Sequence, residues 1–79
     1  MRPEHEGPLR VGVLGVGERG GAYARALATG AVRRARLVAV ADIAPDALRP
    51  FPGIAQFDDE TELLAGSALD ALVIATPPA

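Results

Sequence analysis

The chain has 79 residues, 49% of them hydrophobic, with a formal net charge of −2; this excludes a disordered chain and leaves room for one small domain, burying roughly 60% of its unfolded surface. It contains no cysteine and one histidine, so a disulfide framework, a thiolate nucleophile and a cysteine-ligated metal are excluded, and no metal site is expected. The eight basic residues, all arginine, do not outnumber the ten acids, which counts against a nucleic-acid partner, and no apolar run is long enough to cross a bilayer.

Residues 1–8 mix charge with Pro and Gly, without the apolar stretch of a secretion signal. They read as a flexible leader before a domain spanning 9–79, and the expected compartment is the cytoplasm. His5 lies in this leader and is expected to be solvated. Leu9 to Leu14 alternates and then runs apolar into Gly15, the pattern of a buried strand entering a glycine-rich turn. From Gly20 to Thr29 a helix is predicted, with Tyr23, Ala26 and Leu27 on its inner stripe, Arg25 in water and Gly30 as a left-handed cap. The Arg33, Arg34 and Arg36 cluster is assigned to a solvated turn.

Leu37 to Ala41 is apolar on both parities, which predicts a strand covered on both faces and stopped by Asp42. Pro45 to Arg49 supports a short helical turn that Pro50 and Pro52 keep from growing. A minimal strand over Ile54 to Phe57 follows. Asp58 or Asp59 then caps a helix through Leu63 and Leu64 to Gly66, with Asp59 and Glu62 at capping-box spacing. Asp70 precedes a fourth buried strand, Ala71 to Thr76, closed by Pro77-Pro78. The alternation of strand and helix gives an α/β class: a partial Rossmann fold, its parallel sheet of four strands in the order 3-2-1-4 with flanking helices.

Gly15-Val16-Gly17-Glu18-Arg19-Gly20 matches Gly-x-Gly-x-x-Gly, a pattern that nine glycines in 79 residues produce by chance about 0.1 times. Here it follows a strand and opens a helix. In that setting Gly15 makes the tight turn, Gly17 lets a pyrophosphate approach the backbone, and Gly20 lets helix and strand pack closely, while free amides and the helix dipole face the phosphates. Glu18 points away from the phosphates, and Arg19 either adds charge there or is solvated at the helix start.

Asp42 ends the second strand 22 residues after Gly20, near the spacing of about 20 expected of an acid that binds the adenosine ribose. Ile43 follows it, with no basic side chain to receive a 2′-phosphate, so NAD is favoured over NADP. Thr76 falls at the carboxyl end of the strand beside the first, where it either reaches the cofactor or simply ends a strand locked by Pro-Pro.

Leu9 to Gly20, Val40-Ala41-Asp42, Leu63-Leu64 and Asp70 to Pro78 together resemble the N-terminal domain of the Gfo/Idh/MocA family, the relatives of glucose-fructose oxidoreductase and inositol dehydrogenase. The resemblance implies an NAD(P)-binding Rossmann domain of an oxidoreductase acting on sugars, polyols or related carbonyl compounds, followed in complete members by a substrate domain. The cofactor-binding residues it implies here are Gly15, Val16, Gly17, Glu18, Arg19, Gly20, Asp42, Ile43, Thr76 and Pro77, the last two near the nicotinamide half. Two departures stand out. Pro50-Phe51-Pro52 shortens the helix after Asp42 and suggests a reshaped adenine-side wall. Family members also continue through a histidine and a Glu-Lys-Pro segment, for which nothing in these residues substitutes, so no catalytic residue is expected. The chain is therefore read as the dinucleotide-binding portion of such an enzyme, without hydride transfer of its own and with self-association through an open sheet edge. The alternatives are a standalone nucleotide-binding or interaction module and a non-functional truncated fragment.

Overall fold

The computed structural model describes residues 8–75. Its elements run β1 (Leu9–Leu14), α1 (Glu18–Ala28), β2 (Ala35–Ala41), a 3-10 turn (Pro45–Leu48), β3 (Ala55–Phe57), α2 (Glu60–Gly66) and β4 (Ala71–Ile74). The sheet order is β3-β2-β1-β4 and every pairing is parallel, the arrangement read from the alternation of elements. The leader before Pro8, with His5, and the segment Thr76 to Ala79 lie outside the described residues.

β1 is the central strand, in register with β2 on one side and with β4 on the other. Between Val11 and Gly12 its register with β2 slips: Val11 faces Leu37 but Gly12 faces Ala39. Val38 is thus the extra residue of a β-bulge, and a bulge reverses which parity faces which side. Leu37 and Val40 consequently belong to one core with Val11, Val13, Ala24, Leu27, Leu48 and Phe51. Ala39 and Ala41 join Leu63 on the other face. The doubly apolar sequence of β2 reflects this exchange of faces. Val13, Val40 and Leu63 are the largest fully buried side chains, each contributing about 1.5–3 kcal/mol by leaving water.

α1 starts two residues earlier than its sequence pattern suggests, because Gly17 takes the N-cap position and its carbonyl accepts the first helical bond from Gly21 N–H at 2.7 Å. It ends in a Schellman motif: Gly30, at φ +82°, donates to Leu27 O, and Ala31 N–H reaches Ala26 O. Gly20, Gly21, Ala24 and Leu27 form its buried stripe. Tyr23, expected on that stripe, is half-exposed instead. The close seating of Gly20 sets the rotation of the helix and leaves Tyr23 at its flank.

β2 begins at Ala35 and takes in Arg36, so only Arg33 and Arg34 of the basic cluster sit in the turn, Arg34 at φ +68°. Phe51 departs from expectation too. It is buried in the α1-side core, and its carbonyl and that of Leu48 each accept 2.9 Å bonds from Gln56 Nε2. α2 is capped by Asp59, which accepts from Glu62 N–H at 2.8 Å, while Glu62 accepts from Asp58 N–H. At the start of β4 the Arg10 backbone exchanges two bonds with Asp70: Asp70 N–H donates to Arg10 O and Arg10 N–H donates to Asp70 Oδ2, both at 2.7 Å. None of the helices of the described residues is long and apolar enough to cross a membrane.

Candidate functional site

At the carboxyl ends of β1, β2 and β4 the chain leaves a cavity of about 1000 Å³, the upper end of the usual range of about 300–1,000 Å³ for small-molecule pockets. Its lining combines the glycine turn, Gly15 and Gly17 to Gly20, with Asp42 and Ile43 after β2, Asp58 to Glu60 after β3, and Ile74 and Ala75 at the end of β4. The sheet topology explains this convergence. The strand order reverses at β1, which has β2 on one side and β4 on the other, and a crevice at the carboxyl ends of the strands is expected at such a switch point.

The three glycines stand in different surroundings. Gly15 has φ +89°, a left-handed backbone that a side chain rarely adopts. A Cβ on Gly20 would lie 1.7 Å from Gly15 O and 3.0 Å from the Ala75 Cβ, so any side chain there forces α1 off the sheet. A Cβ on Gly17 would meet nothing within 4 Å. Its φ is negative and no neighbouring atom demands glycine at this position, and its bare backbone faces the cavity beside the uncapped first turn of α1, where no side chain accepts from the helix N-terminus. The first-turn amides precede the first helical bond and carry the positive end of the dipole, a combination suited to phosphate.

Asp42 adjoins this turn. Its Oδ2 accepts from Val16 N–H at 2.9 Å and its Oδ1 from Ala44 N–H at 2.8 Å. The bulge in β2 makes this possible, since it returns Val40, and two residues on Asp42, to the α1 side. Each carboxylate oxygen retains a second acceptor position for a ligand hydroxyl. Val16 therefore contributes differently from its neighbours in the turn: its side chain is in the core and its amide is given to Asp42. Ile43, 87% exposed, offers an apolar surface beside the acid. Glu18 and Arg19 line the cavity from exposed positions at the start of α1. Thr76 and Pro77 lie outside the described residues. Pro50-Phe51-Pro52 forms no part of the wall, since Phe51 serves the core.

Sequence reasoning missed Tyr23, which lines the cavity with half its surface exposed. It also missed the acidic rim of Asp58, Asp59 and Glu60, since helix capping is the whole of what the pattern assigns to Asp58 and Asp59. The parity of the bulge and the rotation of α1 are tertiary effects that leave no local signature. Among the described residues no group of three His, Cys, Asp or Glu side chains is placed to hold a metal.

A parallel sheet in this order, with a glycine turn over a helix N-terminus and an acid at the end of the next strand, defines a dinucleotide-binding α/β domain. Residues 9–79 match the family model described as an oxidoreductase family with an NAD-binding Rossmann fold. The chain belongs to the Gfo/Idh/MocA family and corresponds to its N-terminal NAD-binding domain. Solved structures agree. Scyllo-inositol dehydrogenase from Lactobacillus casei, with bound NAD(H) and scyllo-inositol, is 26% identical with a TM-score of 0.78, over 89% of this chain and 22% of that one. The WlbA dehydrogenase from Bordetella pertussis, in complex with NADH and UDP-GlcNAcA, is 34% identical with a TM-score of 0.75, over 89% of this chain and 22% of its own. The WlbA dehydrogenase from Chromobacterium violaceum, with the same two ligands, is 29% identical at 0.80, over 98% of this chain and 23% of its own. The chain thus spans less than a quarter of the length of the dehydrogenases it resembles. No curated protein sequence matches it significantly.

Proposed function

We propose that the cavity holds NAD(H), with the pyrophosphate over Gly17 and the first turn of α1, the adenosine ribose on Asp42 and the adenine beside Ile43, as the cofactor domain of an oxidoreductase acting on sugars, polyols or their carbonyl counterparts. One observation carries the reading: of the two glycines that bracket the start of α1, Gly20 is filled by the protein's own backbone while Gly17 opens onto empty space. The fit is chemical as well as spatial. Uncapped amides meet the diphosphate, and a carboxylate with unused acceptor positions meets hydroxyls. When bound, the nicotinamide supplies the hydride donor or acceptor.

The residues of this chain bind and orient that group. Oxidising a carbinol also needs a positioned acid or base and a wall holding the substrate over the ring. We assign both to parts of the enzyme beyond these residues, in keeping with the share of the dehydrogenases that the chain spans. The chain by itself is then expected to give only background nicotinamide absorbance changes with sugars and polyols. A dehydrogenase drawing on the cellular NAD pool fits the cytoplasm.

NAD is favoured over NADP because a 2′-phosphate would meet the carboxylate of Asp42, with Asp58, Asp59 and Glu60 lining the same cavity, whose basic lining residue, Arg19, belongs to the glycine turn. Calorimetric titration of both cofactors tests this. NAD is expected to bind at least about tenfold tighter, or about 1.4 kcal/mol, and equal or tighter NADP binding would remove Asp42 from its role. Self-association through β4 belongs to the same proposal. Ala71 to Ala75 is uncharged, lies at the sheet edge and exposes Ile74 by 62%, the features of an edge that recruits another strand. Sedimentation that shows a compact monomer over a wide concentration range would argue against it.

A further inference from the structure

We infer that Asp42 is a positioning residue for the glycine turn as well as a ribose ligand, so that the acid and the phosphate cradle form one mechanical unit assembled before any nucleotide arrives. The cradle half of this inference rests on the dinucleotide reading above; the strut itself does not.

The turn between β1 and α1 has few other supports. Gly15 N–H donates to Ala41 O at 2.8 Å, which carries the β1–β2 ladder to its last rung. One residue further on, the Asp42 carboxylate accepts from Val16 N–H at 2.9 Å, across 26 residues of sequence. The carboxylate is itself held by Ala44 N–H at 2.8 Å, and the Asp42 backbone by its N–H to Phe57 O at 3.2 Å on β3. The strut therefore runs from β3 through Asp42 to Val16, the residue directly before the open backbone of Gly17. Val16 is buried, and a buried amide without an acceptor is costly. Loss of the carboxylate would thus press the turn to find another partner and leave the conformation that exposes the α1 amides.

A purely ribose-directed acid makes a different prediction. Asp42→Ala would then weaken only ligands that carry the ribose hydroxyls. If Asp42 holds the turn, the same substitution weakens ligands without them.

The test uses the whole chain in two arms. Without nucleotide, amide hydrogen exchange is followed at Val16 in the native protein and in Asp42→Ala and Asp42→Asn. Calorimetry then compares NAD with its analogue lacking the adenosine 2′- and 3′-hydroxyls. The expected result is that Val16 exchange rises about tenfold or more in Asp42→Ala, the scale of losing one hydrogen bond to a charged group, while Val13 is unchanged. Asp42→Asn, whose single carbonyl serves one of the two amides, falls between. Affinity for the dihydroxyl-free analogue should drop at least about fivefold in Asp42→Ala. Unchanged Val16 exchange, or an analogue affinity untouched while NAD affinity falls, would overturn the inference. Should Asp42→Ala not fold, the native chain decides it: Val16 as protected as Val13 without nucleotide supports the strut, and Val16 exchanging at an unprotected rate refutes it. Should the native chain bind neither ligand, the dinucleotide reading fails, and the exchange arm still decides whether the strut exists.

Discussion

On the α1 side of the sheet, Val11, Val13, Leu37 and Val40 are buried beneath Ala24 and Leu27, with Leu48 and Phe51 extending the cover toward β3. On the opposite side Leu63 is fully buried over Ala39 and Ala41, but Leu14, Val38, Phe57, Leu69 and Leu72 are only partly covered, and Ile74 stands out at the rim. The same four strands thus support one nearly finished face and one thin one. The glycine turn belongs to the finished face, as the proposed cradle requires: amides can await a phosphate only if packing fixes the helix that carries them. The thin face is tied down at a few points, by Leu63, by the Asp59 cap and by the Arg10 and Asp70 bonds.

The most severe way to break the finished face is Gly20→Val. With Gly15 O at 1.7 Å from the new Cβ, α1 must leave the sheet. A loss on the order of 3–5 kcal/mol is expected, a large share of what a domain this size has. Urea denaturation should find the variant unfolded or nearly so. Leu63→Ala tests the thin face. It removes the one fully buried side chain of α2 at a cost of about 2–4 kcal/mol, and exchange of α2 amides should accelerate before that of α1. Smaller again is Asp59→Ala, which removes a cap worth about 0.5–2 kcal/mol. It should fray α2 alone, seen as a modest fall in the urea midpoint with the α1 amides unaffected.

Most of this architecture was legible because it depends on local chemistry. The glycines of the turn, the Gly30 cap, the Asp59 and Glu62 pair and the prolines around the 3-10 turn each act within a few residues of themselves, and their reading needs no knowledge of the rest of the fold. The positions that escaped depend on contacts remote in sequence. Tyr23 shares helical spacing with Leu27, yet the contact of Gly20 with Gly15 O turns it outward to the cavity. Pro50-Phe51-Pro52 reads as a reshaped adenine-side wall, yet Phe51 is buried in the α1-side core. Arg36 reads as a turn residue, yet β1 recruits it into β2. The bulge at Val38 is hidden for the opposite reason: a run that is apolar on both parities is compatible with either face, so a reversal within it changes no pattern. Of the candidate site, the turn and the acid could be located from spacing alone, while the double use of the Asp42 carboxylate required both strands to be in place.

The central claim is that the glycine turn is a phosphate cradle, and Gly17→Val tests it most directly because the position is free of contacts. The variant's added side chain meets no protein atom within 4 Å of its Cβ, so stability should change by no more than about 1 kcal/mol, while the branched side chain occupies the space a pyrophosphate would need. Calorimetric titration of the folded variant with NAD should show affinity reduced at least about tenfold relative to the native chain; unaltered affinity in a folded Gly17→Val protein would contradict the cradle.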